Sequence, residues 1–78
     1  MQSKEAKTIA WLEEFAEECA DNGHNPKRFK VYPEHKNLTL IGYGISHKLF
    51  PVTQKILDKI AELWPNLKSQ VEATQPLE

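Results

Sequence analysis

The stretch Leu38-Thr39-Leu40-Ile41-Gly42-Tyr43-Gly44 decides how the rest of this 78-residue chain is read, because it is the only run of consecutive β-favouring residues. Side chains alternate across a strand, so Leu38 and Leu40 share one face while Thr39, Ile41 and Tyr43 share the other. Both faces are rather apolar, which predicts cover on both sides. Upstream, Phe29-Lys30-Val31-Tyr32 alternates in the same way and ends at Pro33, which has no N–H to give to a ladder. Glu34-His35-Lys36-Asn37 is then the turn of an antiparallel hairpin. A lone hairpin is marginal in water, so this one needs helices against it and further strand partners; a second copy of the chain is one way to supply them.

Two helical segments flank the hairpin. Over residues 4–21, Ile9, Leu12, Phe15, Ala16 and Cys19 recur at three- and four-residue spacing, with Trp11 widening that face. Ser3 is the expected N-cap and Asn22-Gly23 the expected stop. Glu17, Glu18 and Asp21 lie in the last turns, where the helix dipole disfavours negative charge. After Gly44-Ile45-Ser46-His47-Lys48, Pro51 suits the first helical position, and residues 51–64 place Val52, Ile56, Ile60, Leu63 and Trp64 on one stripe. Pro65 stops that helix, and Asn66 is the expected cap of one further turn. The predicted fold is therefore α+β, in the order α-β-β-α, with an antiparallel hairpin packed against two helices. It forms one small domain over 1–78, with an ordered core over about 4–72 and a frayed C-terminal tail. The polar end of the chain carries no fold signal, and Leu77-Glu78 is given no role.

Composition narrows the function classes. An apolar fraction of 40% with 27% charged residues is ordinary for a globular chain. No apolar run approaches the roughly 20 residues that span a bilayer, and Met1 to Lys7 leads into no apolar signal core, so neither a membrane nor a secretory route is expected. Cys19 is the only cysteine; with no intrachain disulfide available, a reducing, cytoplasmic setting is expected. The net charge of −1 hides an asymmetry. Residues 1–22 set Lys4 and Lys7 against Glu5, Glu13, Glu14, Glu17, Glu18 and Asp21, whereas residues 23–50 set Lys27, Arg28, Lys30, Lys36 and Lys48 against Glu34. An acidic helix beside a basic hairpin either complements itself or attracts a charged partner.

Enzymatic and metal chemistry find little support. Cys19, His24, His35 and His47 are ligand types, but no Cys-x-x-Cys or His-x₃₋₅-His pair exists, so no metal or other cofactor is expected. Ser46-His47 adjacency does not make a catalytic dyad, and Cys19 falls mid-stripe on the first helix, where a buried thiol is inert. A chain this short has little room for a cleft of about 300 Å³, so no small-molecule substrate is expected. Gly42-Tyr43-Gly44 lacks both phosphate-loop fingerprints and the Gly-x-x-Gly of one RNA-binding class; it reads as a bulge or tight exit from the strand.

Binding is the better expectation, in two forms. A protein partner, or a second copy, would meet the acidic face Glu13, Glu14, Glu17 and Glu18, with Trp11, Tyr43 and Trp64 as aromatic anchors and Tyr32 beside them. A nucleic acid would instead meet the basic hairpin through Lys27, Arg28, Lys30, Tyr32, Lys36 and Lys48.

Three stretches also resemble a known family. Asp21-Asn22-Gly23-His24, then Val31-Tyr32 with Asn37-Leu38-Thr39-Leu40-Ile41-Gly42, then Gln54 to Trp64, are similar to the DNA-damage-inducible DinI-like family of small bacterial and phage proteins. The similarity covers about half the chain, with gaps. It implies a hairpin followed by a long helix, and a modulator of the recombinase RecA filament. That family's strand before the first helix has no counterpart here, and its acidic second helix is replaced by one carrying Lys55 and Lys59 beside Asp58 and Glu62.

Overall fold

Ser3 opens the first helix by accepting the Ala6 N–H on its hydroxyl at 3.1 Å, one of the donors that a helix start leaves unpaired. In the computed structural model, which describes residues 3–42 and 48–77, helix α1 runs Lys4–Asn22. It stops where expected. Gly23 takes the left-handed conformation (φ 71°), its N–H reaches the Ala20 carbonyl, and the His24 N–H reaches that of Cys19. These are the two bonds of a Schellman cap.

Strands β1 (Arg28–Tyr32) and β2 (Asn37–Ile41) form the predicted antiparallel hairpin, with Phe29 opposite Leu40 and Val31 opposite Leu38. A 3-10 turn at Pro33–His35 and a left-handed Lys36 (φ 55°) join them. Gly42 leaves β2 at φ 118°; a Cβ there would stand 2.8 Å from the Lys27 backbone nitrogen, so only glycine fits this exit.

A third strand then departs from the sequence reading. Phe50–Pro51 forms β3 on the free side of β2, with Phe50 opposite Leu38 and Pro51 opposite Asn37. Pro51 therefore does not begin a helix. Helix α2 spans Gln54–Leu63, capped by the Thr53 hydroxyl on the Ile56 N–H, and Val52 is buried just outside it. A proline fits an edge strand as readily as a first helical turn, because both positions leave its missing N–H unmissed. The hairpin is thus extended to three strands by its own chain, which removes the structural need for a second copy to complete it.

After α2, Pro65–Leu67 forms a 3-10 turn that runs into α3 (Lys68–Glu72). Asn66 does not cap α3; its amide donates to the Pro26 carbonyl at 3.0 Å and ties this end to the loop after α1. Near the C-terminal end the Leu77 N–H donates to the Val52 carbonyl at 2.9 Å, and its side chain packs against the core.

One apolar cluster joins Leu12, Phe15 and Cys19 of α1, the sheet face bearing Phe29, Leu38, Leu40 and Phe50, and Ile56, Leu57 and Ile60 of α2. Both long helices therefore cover the same face of the sheet, rather than one on each side. Trp64, 2% exposed, closes this core edge-on to Phe15, with ring centroids 5.9 Å apart. Among the described residues no helix is long and apolar enough to cross a membrane.

Candidate functional site

The sequence-derived groups for chemistry are not gathered by the fold. Cys19 is fully buried, and burial, followed by the nearby negative charge of Glu18, pushes its thiol pKa up, away from the reactive thiolate. His24 lies at the α1 cap and His35 in the hairpin turn, both exposed; Ser46 and His47 lie outside the described residues. No three His, Cys, Asp or Glu side chains come together where a metal could bind, among the described residues.

The acidic face divides. Glu13 leans toward α2 and pairs with Lys59 Nζ at 3.2 Å, and Lys59 also pairs with Glu62 at 3.2 Å. Hydrogen bonds to Glu62 and Glu13 raise the Lys59 pKa above its ordinary value. Glu13 thus ties two helices of one chain, with its side chain still 55% exposed. Glu14, Glu17 and Glu18 are exposed and enter no ion pair among the described residues; the basic hairpin does not neutralise them.

The aromatic set divides as well. Trp64 is a core residue and is unavailable as an interface anchor, a correction to the sequence reading. A core this small is expected to leave part of so large a ring uncovered, but the edge-on contact with Phe15 helps to bury it. Trp11 is half-buried, stacked on Phe15 at 5.2 Å and tilted against Phe50 at 5.4 Å, with its remaining surface beneath Lys48 Nζ at 5.1 Å from the ring centroid. Tyr43 lies outside the described residues.

Strand alternation puts Arg28, Lys30 and Tyr32 together on the sheet face opposite the core, with Lys30 Nζ 5.2 Å from the Tyr32 ring centroid. Lys27 and Lys36 are exposed at either end of β1 and the turn. Lys48 belongs elsewhere, over Trp11.

Around Trp11 the fold builds a groove that the sequence reading did not foresee. Lys4, Lys7, Thr8 and Trp11 of α1 form one wall; Lys48, Leu49 and Phe50, delivered by β3, form the other. Its volume is about 320 Å³, against the expectation that so short a chain has no room for a cleft. Leu49 is 51% exposed at its rim, a large apolar side chain left in water. Among the described residues, three ammonium groups and no carboxylate line it. Lys4 and Lys7 were legible as i, i+3 neighbours leading to Trp11 at i+7, but charges near a chain start read as solvated until β3 brings the opposite wall.

Most charges near the ends of α1, Glu5 in the first turn excepted, oppose its own dipole. Lys4 and Lys7 lie in its first turns, Glu17, Glu18 and Asp21 lie in its last, and the last turn carries no basic residue. Each such placement costs a few tenths of a kcal/mol at the surface.

Both sheet edges are partly covered. The Phe29 N–H donates to Gln70 Oε1 at 3.0 Å, and Gln70 Nε2 donates to the Phe29 carbonyl, so an α3 amide occupies the place of a neighbouring strand. At the other edge Pro51 offers no donor, and the Leu77 N–H occupies the next carbonyl, that of Val52. No protein-family model, curated protein or solved structure matches the chain.

Proposed function

We propose that this chain is a small non-enzymatic, cytoplasmic protein-binding module whose working surface is the flank of α1. One observation carries this reading. The stripe Lys4, Lys7, Trp11, Glu14 and Glu18 remains at the surface, half-apolar at its centre and charged on both sides of it, with Lys4 and Glu18 at the helix ends set against the dipole. Partly covered sheet edges, with a proline on each, favour a helix face over strand addition as the means of recognition.

The test is Glu14→Lys combined with Glu18→Lys. Both positions are exposed, so the circular dichroism spectrum and thermal midpoint are expected to stay near wild type while retention of the partner falls. A set of captured proteins identical to that of the wild type would remove this face from consideration. A recombinase filament, the partner implied by the family resemblance, is examined in the same format by co-sedimentation with and without the double substitution.

A second reading keeps the sheet face with Arg28, Lys30 and Tyr32 as a nucleic-acid surface, supported by the shared orientation of two cations and an aromatic ring. Fluorescence titration with short DNA and RNA at two salt concentrations addresses it. No binding near roughly 50 mM salt, where phosphate contacts are strongest, would sink it.

A further inference from the structure

We infer that the partner of the α1 flank is a second copy of this chain, packed helix against helix in an antiparallel two-fold arrangement centred on Trp11. The inference rests on the protein-binding reading above and names the occupant of that surface.

The charge pattern is self-complementary about one point. Lys4 stands seven residues before Trp11 and Glu18 seven residues after it; Lys7 stands four before and Glu14 three after. At a rise of about 1.5 Å per residue, Lys4 and Glu18 lie about 10.5 Å either side of Trp11, and Lys7 and Glu14 about 6 and 4.5 Å. At about 100° per residue all five fall within an arc of about 80°, a single stripe repeating at three- and four-residue spacing. Turning one copy end over end places its Glu14 and Glu18 opposite the Lys7 and Lys4 of the other, twice by symmetry. Such self-matching is what an isologous two-fold contact requires.

Two further features fit the same occupant. Among the described residues the groove beside Trp11 carries Lys4, Lys7 and Lys48 without a lining carboxylate, and two glutamates from a neighbour would supply that sign. The dipole mismatch also reverses. In an antiparallel pair, each copy's acidic last turns lie beside the other's helix start, and its lysines beside the other's helix end. Glu13, one position off the stripe, pairs with Lys59 inside the chain, so the acids left over are those that face outward.

The contact is modest. A stripe from Lys4 to Glu18 is about 21 Å long, which places the interface in the small class below about 1,200 Å². Association is therefore expected at micromolar concentrations and to depend on salt, since the screening length drops from about 10 Å at 0.1 M to about 3 Å at 1 M.

Sedimentation equilibrium tests the pairing with three full-length proteins: wild type, Glu14→Lys with Glu18→Lys, and Lys4→Glu with Lys7→Glu. Wild type at roughly 100 µM and low salt is expected to approach twice its 9.0 kDa mass and to return to it near 1 M salt. Each charge-reversed variant is expected to stay monomeric alone, its stripe being all one sign, while their equimolar mixture associates at least as tightly as wild type. Should either double variant lose its helical spectrum, the single pair Glu18→Lys and Lys4→Glu gives the same cross-test. A monomeric wild type overturns the inference, as does a dimer indifferent to both variants or a mixture that stays monomeric. If the wild type is monomeric yet Glu14→Lys with Glu18→Lys abolishes capture of another protein, self-pairing fails while the protein-binding reading stands.

Discussion

Replacing Gln70 with Leu isolates the bond that covers part of the β1 edge. Gln70, on α3, accepts from the Phe29 N–H at 3.0 Å and donates to the Phe29 carbonyl, forty-one residues away in sequence. Leucine is close in volume and keeps the apolar stem, so the change removes two hydrogen bonds and little else. Each net bond contributes about 0.5–1.5 kcal/mol, and the Phe29 groups left behind are part-buried, with some access to water. The expected loss is therefore about 1–3 kcal/mol. For a domain of this size, each kcal/mol lowers the midpoint by about 4–8 °C. The same substitution at Gln54, whose amide bonds only to Asp58 on the exposed face of α2, serves as control and is expected to change stability by less than about 0.5 kcal/mol. Urea denaturation gives the free energies, and amide hydrogen exchange locates the effect, with the Phe29 amide exchanging much faster in the variant. Equal stability for the two substitutions, or unchanged exchange at Phe29, would refute the claim that α3 stands in for a strand.

Three further outcomes follow from packing and titration. Trp64→Ala empties the core beside Phe15 and is expected to cost about 3–5 kcal/mol in chemical denaturation; a loss below about 1 kcal/mol would mean that the ring is not buried. Gly42→Ala adds a Cβ 2.8 Å from the Lys27 nitrogen at a left-handed φ, so a loss above about 1 kcal/mol is expected, and none would show that the strand exit is pliable. Burial raises the Cys19 pKa, so the folded chain keeps this proton after the unfolded chain has released it. Stability is then unaffected by this group below about pH 8.5 and falls as pH rises beyond it. Cys19→Ala should remove that slope, and a wild-type thiol labelled at pH 8 faster than the chain unfolds would contradict the burial.

The parts of the fold written locally were legible, and the parts written at a distance were not. Ser3, the apolar spacing through Cys19 and Gly23 define α1 within a residue at its end, because caps and periodicity are properties of neighbours. Which residues of each hairpin strand share a face follows from alternation in the same way. Strand β3 is two residues long and pairs only at the free edge of β2, so Leu49-Phe50 reads from sequence as the approach to a helix and Pro51-Val52 as its first residues. Gln70, Asn66 and Leu77 reach residues twenty-five or more positions away, and nothing near them in sequence announces it. At the site, Trp11, Glu14 and Glu18 were legible as helix-face residues. Lys4 and Lys7 gained meaning only when β3 set Lys48 and Leu49 across from them.

The partial cover of the sheet edges bears on the kind of association this chain supports. Backbone groups in an antiparallel ladder alternate between one side and the other, so Phe29 turning to Gln70 means that the next outward positions along β1 are Val31 and then Pro33. Pro33 has no donor, which leaves Val31 alone to recruit a strand. On the far edge, Pro51 again lacks a donor, and Leu77 occupies the Val52 carbonyl. Strand addition draws its affinity from rows of main-chain bonds, and neither edge offers a row. Association through α1 draws instead on charges set on either side of one aromatic ring, and such contacts weaken with salt. Salt response thus separates the two modes without a structure of the complex. A partner retained unchanged between about 0.1 M and 1 M salt would point back to the backbone edge at Val31, and one released over that range would point to the Lys4–Glu18 stripe.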